Sequence, residues 1–149
     1  MKISLTLPMP PSVNHYYGHC YNHGTKQVQV YIKNEGKVYR EKVYYMTANK
    51  ISKLHNPLQT APILFCMIKY NPKSALRDID NPLKCLLDAL THSHIWSDDR
   101  QVKMCFLEQS LKTSVKNDLN ITITDTFDDF KEDIMKRLEA GLIQQKVLK

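Results

Sequence analysis

The sequence predicts an α+β fold, a single domain with a mixed β-sheet of about five strands and three helices. Three observations lead there. Apolar and polar residues alternate at period two near both ends of the chain, apolar residues recur at steps of three and four in between, and Pro, Asn and Gly clusters separate the two kinds of segment. The 149 residues suit one domain, 1–149, long enough to bury a core and too short for two.

The elements follow in order. Ile3, Leu5 and Leu7 alternate with Ser4 and Thr6, as in a half-buried strand, and Pro8, Pro10 and Pro11 stop it. Pro8 to Thr25 reads as a long loop leading to a short strand at Val28–Ile32. After Asn34-Glu35-Gly36, the spacing of Tyr39, Val43, Met46, Lys50 and Leu54 predicts a helix, with Arg40, Lys42 and Lys53 off its buried face and Asn56-Pro57 ending it. Ala61 to Tyr70 is a nearly continuous apolar run, too short for most helices, which predicts a central strand. Asn81-Pro82 opens the next helix, capped by Asn or Asp, and Leu83, Leu86, Leu87 and Leu90 form its stripe. Val102, Met104 and Phe106 alternate, as do Leu119, Ile121 and Ile123, which predicts two strands joined as a hairpin through a turn at Thr113–Asp118. Thr126-x-x-Asp129 reads as a capping box opening a last helix through Phe127, Phe130, Ile134 and Leu138 to about Gly141.

The composition limits the function classes. No apolar run approaches the roughly 20 residues of a spanning helix, and the N-terminus lacks a signal peptide's apolar region, so a cytoplasmic protein without membrane contact is expected. Cys20, Cys66, Cys85 and Cys105 show no CxxC spacing and read as reduced, three of them inside apolar patterns. The net charge of +6 makes a polyanion the default partner.

Against that positive charge, residues 77–102, RDIDNPLKCLLDALTHSHIWSDDRQV, hold Asp78, Asp80, Asp88, Asp98 and Asp99. Asp80, Lys84 and Asp88 are spaced by four and share one ridge of a helix. Asp78 and Asp80 stand two apart at the strand-to-helix junction and converge if it is extended. Asp98 and Asp99 arrive from the helix's other end. Hard oxygen ligands from separate elements suit Mg²⁺, and Mg²⁺ beside a lysine suits phosphodiester hydrolysis. The structural alternative stands beside this one: Asp80 or Asn81 as a cap, Lys84 and Asp88 as a surface pair, Asp98-Asp99 as turn residues.

The series Asp78-Ile79-Asp80-Asn81, Lys84, Asp88-Ala89-Leu90 and Asp98-Asp99 resembles the hallmark of the RusA family of Holliday-junction resolvases. Leu7-Pro8-Met9-Pro10-Pro11-Ser12-Val13-Asn14-His15-Tyr16-Tyr17 is similar to that family's first strand and proline-rich loop. The resemblance spans most of the chain, to about Thr124. It implies a RusA-like domain and a Mg²⁺-dependent endonuclease that nicks four-way DNA junctions as a homodimer, in recombination and repair. Carried over by position, it makes Asp78, Asp80 and Asp99 the metal ligands and Lys84 the catalytic lysine, with Asp98, Asp88 and Asn14 supporting. Whether Asp98 or Asp99 is the ligand stays open. Arg77, Arg100, Lys103, Tyr16 and Tyr17 are the expected DNA contacts. One acidic constellation per chain and the two-fold symmetry of a junction point to the homodimer, with Met104 and Phe106 as candidate contacts.

Two features stand apart. The loop holding His15, His19, Cys20 and His23 is rich in soft-metal ligands, but its spacing matches no common zinc finger and a DNA-contacting loop is the better reading. Trp96 near the acids fits the core better than a base wedge. The rival functions are another metal-dependent nuclease, of RNase or flap type, and a non-catalytic nucleic-acid-binding protein.

Overall fold

The computed structural model describes residues 1–51, 56–73, 78–110 and 116–147. In chain order the elements are β1 (Lys2–Pro8), a one-turn helix α1 (Val13–Tyr16), β2 (Tyr17–Asn22), β3 (Gln27–Ile32) and α2 (Asn34–Ile51). Then come β4 (Leu64–Asn71), α3 (Leu83–His92), β5 (Val102–Gln109), β6 (Asp118–Thr124) and α4 (Phe127–Val147). A mixed sheet runs β1-β6-β4-β5, and β2 and β3 pair as a separate hairpin.

The apolar run at Ala61–Tyr70 supplies the inner strand. Leu64, Cys66, Ile68 and Tyr70 join the main core with residues of β1, β6, α2 and α3, whereas Phe65 and Met67 pack with Phe130 of α4. Both faces of β4 are thus covered, which is why its sequence does not alternate. It pairs with β5 in parallel and with β6 antiparallel.

That topology overturns the expected hairpin of β5 and β6, because β4 lies between them. The reason is the connection. A strand followed by a helix and another strand of one sheet favours a parallel crossover, so α3 returns the chain to start β5 alongside β4, and β6 takes β4's other edge. Residues 111–115, within the expected turn, lie outside the described ones. The segment read as a loop also differs: it contains α1 and β2, and β2 pairs with β3 from Tyr17↔Ile32 to Asn22↔Gln27.

On α2 the buried stripe is Tyr39, Val43 and Thr47, whereas Met46 is exposed. Thr47 fits because its hydroxyl donates to the Val43 carbonyl at 2.9 Å, satisfying a buried polar group locally. Lys53 and Leu54 lie outside the described residues. The last helix passes Gly141 and runs to Val147. All four cysteines are free; Cys66 and Cys85 are buried, but Cys105, expected in an apolar row, is exposed on β5 with Met104. β5 is an edge strand, and Lys103, Met104 and Cys105 are exposed near its start. Among the described residues no helix is long and apolar enough to cross a membrane.

Gly36 lets the first turn of α2 approach the core. A Cβ there would stand 2.7 Å from Ile32 Cγ2 and 2.9 Å from Tyr16 Cδ2, and Tyr16 is fully buried with little room to move. Gly36→Ala is expected to lower stability by about 1–2 kcal/mol, overpacking outweighing the gain in helix propensity. Chemical denaturation reads this directly, and an unchanged midpoint would mean that the turn shifts freely.

Candidate active site

The two sequence motifs meet along one side of α3. The Val13 N–H donates to Asn81 Oδ1 at 3.0 Å, so the Asn81 side chain joins the proline-rich segment to the start of α3. It does not cap the helix; the Asp80 carbonyl accepts from the Leu83 N–H at 2.8 Å. One turn further on, Lys84 Nζ donates to Asp88 Oδ1 at 2.7 Å and to Asp99 Oδ2 at 3.1 Å. The Tyr17 hydroxyl, from the start of β2, donates to Asp88 Oδ2. Asp88 is therefore braced by Tyr17 and Lys84 at once.

These contacts set the charges. The hydrogen bond to Asp88, then partial burial against it and the bond to Asp99, leave the Lys84 pKa above its usual value, so its ammonium stays charged. Burial and the Asp88 carboxylate push the Tyr17 phenol upward, which keeps it a donor. Two exposed or half-exposed pairs of this kind stabilise a fold by only about 0–1 kcal/mol each, so the arrangement is weakly explained by stability.

The acidic pair divides its work. Asp98 caps the 3₁₀ turn Asp99–Gln101 in a full capping box, and its carboxylate takes a two-nitrogen grip from Arg100 at 2.8–3.0 Å. The Arg100 hydrogen bonds hold Asp98 down to about 2. Gln101 then anchors the turn, its amide donating to the Ala61 carbonyl at 2.5 Å. Asp98 is engaged in building the turn, and Asp99 is the one aimed at Lys84.

Asp78 and Asp80 lie on the turn entering α3, both exposed. Among the described residues no three His, Cys, Asp or Glu side chains stand close enough together to hold a metal ion. The donor chemistry nevertheless fits Mg²⁺: the acids lining this end of α3 are all carboxylates, with no thiolate among them. Arg77 lies outside the described residues. Lys103 Nζ donates to the Arg100 carbonyl at 2.8 Å.

The aromatic candidates separate as well. Tyr16 is fully buried, with an edge contact to Tyr17 at 4.7 Å between ring centres, and so presents no face to a base. Trp96 is fully buried and its Nε1 donates to Thr91 Oγ1 at 2.7 Å, a core residue. His15 on α1 stands 3.3 Å from Glu35 of α2, and in the turn of the hairpin His23 rests edge-on against Tyr21.

Two recesses share Lys84. A groove of about 520 Å³ passes Asn14, Tyr17, Tyr31 and Lys33, and a cleft of about 290 Å³ holds Asp88, Asp98, Asp99 and Arg40. Tyr31 lies over Gly18, where any Cβ would meet its ring at 2.5 Å. Arg40, expected off the buried face of α2, is half-buried and lines the cleft. The signal was its place beside Tyr39, at the margin of the buried stripe.

Comparison with known proteins gives the family. The family model Endodeoxyribonuclease RusA matches residues 8–124. The crossover junction endodeoxyribonuclease RusA of Shigella sonnei (strain Ss046) is 36% identical over 99 residues, 66% of this chain and 75% of that protein. The protein of that name from Escherichia coli O139:H28 is 31% identical over 126 residues, 85% of this chain and 97% of its own length. That of Enterobacteria phage 82 is 35% identical over 98 residues, covering 66% and 74%. The matched region contains the proline-rich segment from Pro8, the series from Asp78 to Asp99 and the whole Lys84 network, and the chain belongs to the RusA family of endodeoxyribonucleases.

Proposed function

We propose that this chain is a crossover junction endodeoxyribonuclease that resolves Holliday junctions with Mg²⁺, through paired nicks made by a homodimer. The observation that carries this is Lys84, held charged between Asp88 and Asp99 where the proline-rich segment closes on α3. Carboxylates alone would repel DNA, and a cation between them offsets that repulsion, so acids at that spot are compatible with a polyanionic substrate.

Asp78, Asp80 and Asp99 would hold Mg²⁺, which when bound polarises phosphoryl oxygens and lowers the pKa of a water. Lys84 contributes its ammonium to the charge that grows on the phosphoryl oxygens during hydrolysis. Asp88 and Tyr17 orient that ammonium. Arg100 and Lys103, which follow Asp99 in the chain, meet the backbone of the arms, and the groove that passes Asn14 and Tyr31 is also lined by Lys84. An RNase or flap nuclease would share the carboxylate chemistry, but the family model that matches residues 8–124 is that of Endodeoxyribonuclease RusA.

Labelled four-way junction is expected to be cut in Mg²⁺ and left whole in EDTA, with full recovery on adding Mg²⁺ back. Cutting that persists in chelator would remove the metal from the proposal. For the homodimer, the exposed Met104 on edge strand β5 offers apolar surface. Sedimentation of the free protein at micromolar concentration is expected to give about twice the 17.4 kDa chain mass. A single species at the chain mass would contradict a preformed dimer.

A further inference from the structure

The cleft beside Lys84 contains a cation that the acids around it leave unpaired. Arg40 lines this recess together with Lys84, Asp88, Asp98 and Asp99. Each of the other four is engaged: Lys84 with Asp88 and Asp99, Asp98 with Arg100. Among the described residues Arg40 has neither a hydrogen bond nor an ion pair, and its Nε is buried without a partner. Burying a guanidinium donor unpaired costs more than an ordinary lost hydrogen bond, so an arginine left this way beside three carboxylates is unexplained by the free protein alone.

We infer that Arg40 is a phosphate-binding residue of the active site, its guanidinium receiving non-bridging oxygens of the scissile phosphodiester across the cleft from Lys84. The inference rests on the nuclease reading of this site. A guanidinium suits the task because its fork of donors matches two phosphate oxygens, and its charge does not titrate away. The cleft's volume of about 290 Å³ admits a phosphate group with its flanking sugar oxygens. Placement on α2 also matters. Gly36 seats the first turn of that helix against Tyr16, and Tyr39, next to Arg40, is buried with its hydroxyl donating to the Pro8 carbonyl at 3.2 Å. The backbone that carries Arg40 is therefore fixed from two sides.

The test uses Arg40→Ala, Arg40→Gln and Arg40→Lys in the full chain, read in two ways. Single-turnover cleavage of a four-way junction is expected to fall by about 10²-fold in Arg40→Ala, to recover in part when guanidinium is added at a concentration that leaves the protein folded, and to stay well below wild type in Arg40→Lys. Junction binding in EDTA is expected to lose about one from the slope of log affinity against log salt in Arg40→Gln, one phosphate contact fewer. A variant that cuts at the wild-type rate, or one whose rate falls only as its melting midpoint falls and does not answer to guanidinium, would overturn the inference. An unchanged salt slope would also overturn it. Wild-type protein that binds the junction in Mg²⁺ without cutting it would overturn the nuclease reading instead, and the salt slope would still decide whether Arg40 holds phosphate.

Discussion

Asp80→Asn is expected to abolish cleavage while leaving junction binding intact or tighter. The substitution suits a clean experiment because Asp80 is exposed at the start of α3 and its structural contact is the backbone carbonyl that accepts from the Leu83 N–H, which asparagine keeps. The fold should therefore change by no more than about 0.5 kcal/mol. Removing one ligand charge loses the cation, and it also lowers repulsion from the phosphates, so affinity holds or rises as the rate drops by at least about 10²-fold. Asp78→Asn and Asp99→Asn are expected to behave alike. Asp98→Asn should differ, since Asp98 caps the turn and grips Arg100, and its loss loosens the segment that presents Asp99. A dead Asp98→Asn beside a fully active Asp99→Asn would reverse that assignment, and loss of binding with cleavage in Asp80→Asn would make Asp80 structural.

Lys84→Ala is the second large effect. Its ammonium stands between two carboxylates and faces both recesses, so deleting it should slow the single-turnover rate by about 10²-fold or more with a modest loss of affinity. A lysine that only anchored phosphate would show the opposite split, affinity lost and salt slope reduced, with the bound complex cutting normally. Stability should barely move, because Lys84 is half exposed and its pairs are of the weak surface kind. An unchanged rate would remove Lys84 from the chemistry.

Local pattern made much of this molecule legible. Period two marked β1, β5 and β6, the apolar run marked β4, and the leucine stripe marked α3, because each depends on residues that are neighbours in sequence. What local pattern does not encode is which strands pair. β5 and β6 look like a hairpin in sequence and are separated by β4 in space, a consequence of the crossover through α3. The β2 strand was hidden for a different reason: the hairpin stands off the core, so Tyr21, Val28, Val30 and Tyr31 stay exposed and no buried face imposes alternation on its composition. In the site, the i, i+4 ridge of Lys84 and Asp88 was readable from spacing alone. The Tyr17 hydroxyl on Asp88, the Asn81 link to Val13 and the presence of Arg40 in the cleft all join residues far apart in the chain, and no spacing rule reaches them. Asn81 misled for a physical reason, since a residue suited to cap a helix is equally suited to accept from another segment's N–H.

The claim on which the rest depends is that the Lys84 site acts on branched DNA. The most direct measurement compares single-turnover cutting of a four-way junction with that of a linear duplex built from the same strands, in Mg²⁺, with both substrates at equal concentration. The expected result is paired nicks on opposing strands of the junction and no detectable cutting of the duplex. Equal cutting of both would contradict it and point to a nuclease without regard for shape.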